Sequence, residues 1–178
     1  PWPMLIRLNR EKEVVGFYIS GHPLDDYKLE MSSFCNLNIS QIKDLEAIKE
    51  RDVRIAGMVS EVEHRFTKKG NPFGTITIED YHDSITFFLF GEDYPKYKPY
   101  MTEGWFLYAQ CRVQDKKWKE GELEMKIVSV ELLSEIKEKT IRSVLLNVNL
   151  EDLSQNLFEN ISELCEEYPG KHNLKFVV

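Results

Sequence analysis

The residues of this chain best equipped for chemistry are cations set beside aromatic rings. Arg65, Phe66, Lys68, Lys69 and Phe73 fall within one stretch, Arg65-Phe66-Thr67-Lys68-Lys69-Gly70-Asn71-Pro72-Phe73. No Asp or Glu occurs between Glu63 and Glu79, although the whole chain carries a net charge of −7. A second basic turn, Lys116-Lys117-Trp118-Lys119, follows Asp115. Cations meet phosphates and rings meet base faces, so such mixtures on a sheet suit a single-stranded nucleic acid. An ordinary solvated hairpin tip is also rich in lysine and glycine. Taken alone, the first turn favours that plainer reading.

Other constellations carry less. Asp25 and Asp26 are adjacent, so on a helix they do not face each other, and early acids are common partners of the helix dipole. Asp80 and Asp83 bracket a turn, where Asp is expected. His22, His64, His82 and His172 lack metal-ligand spacing. His22 before Pro23 reads as a turn stabiliser. No phosphate loop, GxSxG or HExxH occurs, so neither catalysis nor a cofactor is expected of this stretch. Cys35, Cys111 and Cys165 form no CxxC pair, which fits a reducing, cytoplasmic setting. The acidic balance argues against bulk coating of duplex DNA and confines any nucleic-acid contact to a local patch. No apolar run approaches the roughly 20 residues of a membrane span. The start at Pro1 and the end at Phe176-Val177-Val178 read as a piece of a longer polypeptide.

The elements that must position these residues follow from hydrophobic periodicity. Asn9 is a candidate helix cap, with Glu11 and Glu13 in the first turn, and Gly21 and Pro23 as stops. Leu24, Tyr27 and Met31 predict a second short helix; Ile42, Leu45 and Ile48 predict one more turn. From Asp52 the period becomes two. Val53, Ile55, Gly57 and Val59 alternate with Arg54, Ala56, Met58 and Ser60 in a strand running to Phe66, with Gly57 as the expected bend or bulge. Further strands are predicted at 73–80, 84–90, 105–114 and 123–133, with a short helix at 92–101 carrying Tyr94, Tyr97 and Met101. Val53, Ile55, Ile76, Ile78, Phe87, Leu107 and Ile127 are expected to be buried, as are Leu89 and Trp105. Phe66, Phe73, Phe88, Tyr108 and Trp118 are the stacking candidates.

Five strands with a helix between the third and fourth outline an OB-fold, a five-stranded Greek-key barrel. In that fold ligands cross strands 2 and 3 between the 1–2 and 4–5 loops. The two basic turns occupy those loops, and this coincidence raises the nucleic-acid reading above the plainer one. The expected organisation is mainly β with α: a helical connector over 1–51, the OB domain over 52–136, and the start of an α/β domain over 137–178. In the last, Leu153, Leu157, Ile161, Leu164 and Tyr168 mark an amphipathic helix between strands at 141–150 and near Leu174.

One run is more specific than a basic loop. Pro1-Trp2-Pro3, then Glu11-Lys12-Glu13-Val14-Val15-Gly16-Phe17-Tyr18-Ile19-Ser20-Gly21-His22-Pro23-Leu24 and Tyr27, closely resembles the bacterial DNA polymerase III alpha subunit family. The resemblance continues through Thr67-Lys68-Lys69-Gly70-Asn71, Thr77-Ile78-Glu79-Asp80, Phe90 and Tyr94–Tyr97, over nearly the whole chain. It implies a fragment from the C-terminal third of such a subunit, with catalytic aspartates and the internal clamp-binding motif upstream of Pro1. It also implies an OB domain that handles single-stranded template DNA, and partners in the clamp loader tau subunit and the sliding clamp through the parent protein. Lys68 and Lys69 match the family's basic loop; Lys116, Lys117, Trp118 and Lys119 rest on charge alone. The rival readings are a module docking another replisome subunit and the anticodon-binding OB domain of an aminoacyl-tRNA synthetase.

Overall fold

The two-residue period that begins after Asp52 builds an antiparallel sheet. The computed structural model describes residues 4–16, 18–49, 51–116, 119, 121–152, 154–170 and 172–177. The chain divides into two compact units, residues 1–134 and 135–178. In the first, β1 (Val53–Phe66), β2 (Pro72–Glu79), β3 (Ser84–Leu89), β4 (Phe106–Asp115) and β5 (Leu123–Leu132) form one sheet in the order β3-β2-β1-β4-β5.

β1 is long because it serves two partners. Val53–Met58 pair with β4, and Met58–Phe66 pair with β2. The register shifts between Val59 and Glu61, so the bulge lies just beyond Gly57, which the sequence had marked. Gly57 has a different task. A Cβ there would press on the Glu79 carbonyl oxygen and sit 2.7 Å from Ile78 Cγ2. Only glycine lets β2 cross so close to β1 at the point where the partner changes.

The inward face carries the predicted core. Val53, Ile55, Ile76, Ile78, Phe87, Leu107 and Ile127 are all buried, as is Leu89. Each such side chain contributes roughly 1.5–3 kcal/mol of burial. Trp105 departs from expectation at 39% exposed. It precedes β4, and its carbonyl accepts from the Val59 amide at 2.8 Å, so its backbone rather than its ring is the structural element.

β3 and β5 are not joined by a backbone ladder among the described residues, so the sheet is not closed into the expected barrel. Side chains of the intervening helix reach β5 instead. After α1 (Met4–Val15) and α2 (Lys28–Phe34) comes α3 (Asp93–Tyr97). The Tyr97 hydroxyl donates to the carbonyls of Ile127 (3.2 Å) and Val128 (2.8 Å), and Lys96 Nζ donates to Val128 O at 3.2 Å. These donors satisfy carbonyl oxygens of β5 without help from β3.

The N-terminal segment packs on the sheet. α1 begins at Met4, so Asn9 lies inside the helix rather than at its cap, and Glu11 and Glu13 lie beyond the first turn. Gly16, with φ +89°, follows the helix end. Glu11 accepts from the amides of Ile19 and Ser20, and Lys12 pairs with Glu79 at 2.6 Å. His22 stabilises its turn as expected: Nδ1 accepts from the Leu24 amide at 3.2 Å, while its own amide donates to Asp25 at 2.7 Å. The His22 ring lies 4.3 Å from the Tyr81 ring, and Tyr81 donates to Asp25. The Gly-His-Pro-Leu run thereby clips the N-terminal segment to the β2–β3 turn. Further along, Ile39, Ile42 and Ile48 enter the same core as the sheet.

This covering has a consequence for β1. Ala56 and Met58, on the face opposite the core, are also buried. Tyr27 packs on Phe106 at 4.9 Å, and Asn36 bonds the β1 edge at Asp52 and Arg54. Simple in–out alternation does not hold for a strand covered on both faces.

The second unit contains α4 (Ile136–Thr140), β6 (Ser143–Asn147), α5 (Gln155–Glu167) and β7 (Asn173–Val177). Ser154 caps α5 through its hydroxyl, which accepts from the Leu157 amide. β6 and β7 pair in parallel, as a strand–helix–strand crossover requires. No described residue of α5 is buried. Leu153 lies outside the described residues.

Candidate nucleic-acid interface

The β1–β2 loop is a tight turn held by Thr67. Its amide donates to Asn71 O at 2.9 Å, its carbonyl accepts from Gly70 N, and its hydroxyl accepts from Asn71 N at 3.1 Å. Gly70 takes φ +82°, a value that favours glycine. Lys68 and Lys69 project from this turn, exposed and without an ion-pair partner among the described residues. Phe66, 74% exposed, stands at the end of β1 opposite Pro72. Arg65 is held differently: its guanidinium bonds Glu63 at 2.5 Å, and Glu63 also accepts from Thr75. Its charge is already compensated, and its register partner is Phe73.

Phe73 begins an aromatic strip. Its ring stacks on Phe90 at 5.0 Å, and Phe90 lies nearly parallel to Phe88, with 6.3 Å between centroids. Phe88 is 63% exposed and Phe90 40%. Strand geometry produces the strip. Phe88 and Phe90 are two residues apart and share a face, and β2 sets Thr75 opposite Phe88. Phe90 was not among the stacking candidates, though its two-residue spacing from Phe88 was the signal that reveals it.

The β4–β5 loop is built on Glu122. The Lys116 amide donates to the Glu122 carbonyl at 2.8 Å, and Lys116 Nζ bonds the Glu122 carboxylate at 2.8 Å. Lys119 closes on the other oxygen of that carboxylate. Lys116 and then Lys119 hold the Glu122 carboxyl below its ordinary range. Lys117 and Trp118 lie outside the described residues.

Between β3 and β5 opens a cleft of about 990 Å³. Phe88 and Phe90 border it on one side, Lys116 and Leu123 on the other, above a floor that includes Ile42 and Met125. The aromatic strip and the base of the second loop therefore share one opening. Tyr108 does not reach it. At 4% exposure its ring cannot stack on a base, because it faces Ala56 across the ladder on the surface covered by the N-terminal segment. Burial also raises its hydroxyl pKa. Among the described residues, no cluster of His, Cys, Asp and Glu could hold a metal ion, and no helix is long and apolar enough to cross a membrane.

The fold and the exposed face define a class: residues 53–133 match the family of OB-fold nucleic acid binding domains. The similarity extends over the rest of the chain to one set of proteins. The DNA polymerase III alpha subunit of Borreliella burgdorferi is 37% identical over 95% of the chain. Those of Vibrio cholerae and Escherichia coli K12 are 25% and 24% identical, each over 94%. The chain is thus homologous to an OB-fold-containing region of the DNA polymerase III alpha subunit. It spans 14–15% of the length of these relatives.

Proposed function

We propose that this chain is a non-catalytic template-handling region of a cytoplasmic replicative DNA polymerase. Single-stranded DNA runs from the Lys68-Lys69 turn across the aromatic strip, with phosphates on the ammonium groups and bases on the rings. The carrying observation is the placement of two cations, without an ion-pair partner among the described residues, at the end of a strip of stacked phenylalanines. An OB domain, taken over 52–136, is flanked in this reading by a connector over 1–51 and the start of another domain at 137–178. Polymerisation belongs to parts of the parent protein outside this chain, as do its contacts with clamp loader and clamp. Relatives that span the chain are polymerase subunits, which disfavours the tRNA synthetase reading.

The test is titration of the chain with labelled oligo-dT at several salt concentrations. With about three phosphates neutralised, log affinity falls with log salt at a slope of roughly −2. Binding insensitive to salt, or absent at low salt, removes the proposal. Primer extension with metal and all four triphosphates should give no product; extension that survives repurification would overturn the non-catalytic part.

A further inference from the structure

The arm that carries Lys68 and Lys69 reaches past the strands that support it. The β1–β4 ladder ends at Met58, and the β2–β3 ladder ends where Gly74 faces Leu89. Nearer the tip, Arg65 pairs with Phe73 and Phe66 with Pro72, and no third strand pairs with either side among the described residues. Two strands alone are marginal in water. What holds the arm lies at its base. His64 and Gly74 are directly opposed in the ladder, so their side-chain positions share one face. Gly74 leaves that face open, and Tyr94 of α3 fills it. A Cβ on Gly74 would sit 2.8 Å from Tyr94 Cε2 and 2.6 Å from Met101 Cε. The Tyr94 hydroxyl and His64 Nδ1 share a hydrogen bond of 2.9 Å, and the two rings meet edge to face with 5.8 Å between centroids.

The two ends of this contact belong to different parts of the domain. Tyr94 is buried in the core and so is fixed to the body of the sheet. His64 is exposed and belongs to the arm. On the other face of the arm Phe73 stacks on Phe90. Ring stacking tolerates sliding, whereas a hydrogen bond constrains direction. Thr67, where the turn begins, lies three residues beyond His64, roughly 10 Å along an extended strand. A small rotation at the base therefore displaces both ammonium groups from the aromatic strip. We infer that Tyr94 is a positioning residue for single-stranded DNA, a role that rests on the template-handling reading. It touches no nucleotide. Through His64 it holds the arm at the angle that lines up Lys68 and Lys69 with Phe73, Phe88 and Phe90. An arm that samples other angles binds more weakly, in proportion to the time spent in them.

The experiment is oligo-dT titration of Tyr94→Phe at several salt concentrations, alone and on the Lys68→Ala, Lys69→Ala background. Tyr94→Phe keeps the buried ring and removes only the hydroxyl. Affinity should fall about fivefold, the shift that one ordinary hydrogen bond supports. The salt slope should match that of the unaltered chain, because every bound molecule still makes both lysine contacts. On the double-alanine background the substitution should change affinity little, because the arm no longer has those lysines to place. His64→Ala should behave as Tyr94→Phe does. His64→Asn, whose amide sets a hydrogen-bonding atom where Nδ1 stood, should restore affinity. His64 is exposed, so this pair of variants decides the matter even if Tyr94→Phe misfolds. Without DNA, residual dipolar couplings of the 64–73 amides should change in Tyr94→Phe and His64→Ala, while those of 53–58 do not. The role is overturned by undiminished affinity in both variants, by unchanged couplings, or by an equal loss on the double-alanine background, which would mark direct contact or loss of folded protein. Each of those results leaves the Lys68-Lys69 contact standing. If the unaltered chain does not bind oligo-dT, the template-handling reading falls and the role falls with it.

Discussion

In the β1–β2 turn the ammonium groups of Lys68 and Lys69 have no ion-pair partner among the described residues, whereas in the β4–β5 turn Lys116 and Lys119 both close on Glu122. The two loops look alike by composition. They differ in one carboxylate and in what holds their backbones. Thr67 organises the first turn with a neutral hydroxyl, leaving the cations to solvent. Glu122 organises the second with a charge, and that charge neutralises what the loop would otherwise present. Lysine count is therefore a poor measure of a loop's potential. The net field depends on whether the residue that shapes the turn is itself charged.

The comparison can be broken at either loop. The largest effect is expected from Lys68→Ala with Lys69→Ala. Removing two phosphate contacts should flatten the salt slope by roughly 1.4 and weaken oligo-dT binding by about fifty-fold near 50 mM salt. If the double variant binds like the parent at low salt, the first loop is not the contact. Phe88→Ala should cost about tenfold, toward the lower part of the range of roughly 1–3 kcal/mol per stacked base, because Phe90 and Phe73 remain. Its salt slope should not change, since stacking releases no counterions. A changed slope would mean that the ring positions a cation instead.

Glu122→Gln should sharpen the contrast from the other side. Freeing Lys116 and Lys119 should strengthen oligo-dT binding by several-fold and steepen the slope by up to about 1.4. Unchanged affinity would place the second loop away from the DNA path. The same substitution made on the Lys68→Ala, Lys69→Ala background tells whether one strand touches both loops. Independent effects add, and shared contacts do not.

How much of this was legible follows the range of the interactions involved. The strands, the core residues Val53, Ile76 and Phe87, and the placement of both basic turns come from local alternation and read directly. Tyr108, Ala56 and Met58 are buried on the face opposite the core, where the N-terminal segment packs, and no period within β1 or β4 carries that information. The Tyr97 hydroxyl's bonds to carbonyls of β5 are another long-range outcome, which its spacing from Tyr94 and Met101 predicts only as packing. Glu122 was visible as an acid after the second turn. That it pairs with two lysines at once requires the turn's geometry. Phe90 shares the outward face of Phe88 at a spacing of two, but it lies one residue past the end of β3.

The smallest expected effect is also the most specific to the Glu122 argument. Its carboxyl titrates below the ordinary glutamate range because Lys116 and Lys119 stabilise the charged form. A depressed folded pKa means that the pairing is intact above the unfolded value and is lost as pH falls through the folded one. At neutral pH Glu122 is therefore charged and available to both ammonium groups. On acidification below the ordinary glutamate range, protonation of Glu122 should release both ammonium groups. Affinity measured on the chain and on Glu122→Gln should consequently converge as pH falls, after differing at neutral pH. Stability should change little over the same interval, since the pair is exposed and screened. The measurement is the ratio of the two affinities at fixed ionic strength, with unfolding temperature followed in parallel. A ratio constant from neutral to acidic pH would show that Glu122 is not what restrains the second loop. A ratio that converges only as the unfolding temperature collapses would assign the effect to general acid unfolding, and the contrast between the loops would then rest on the salt slopes alone.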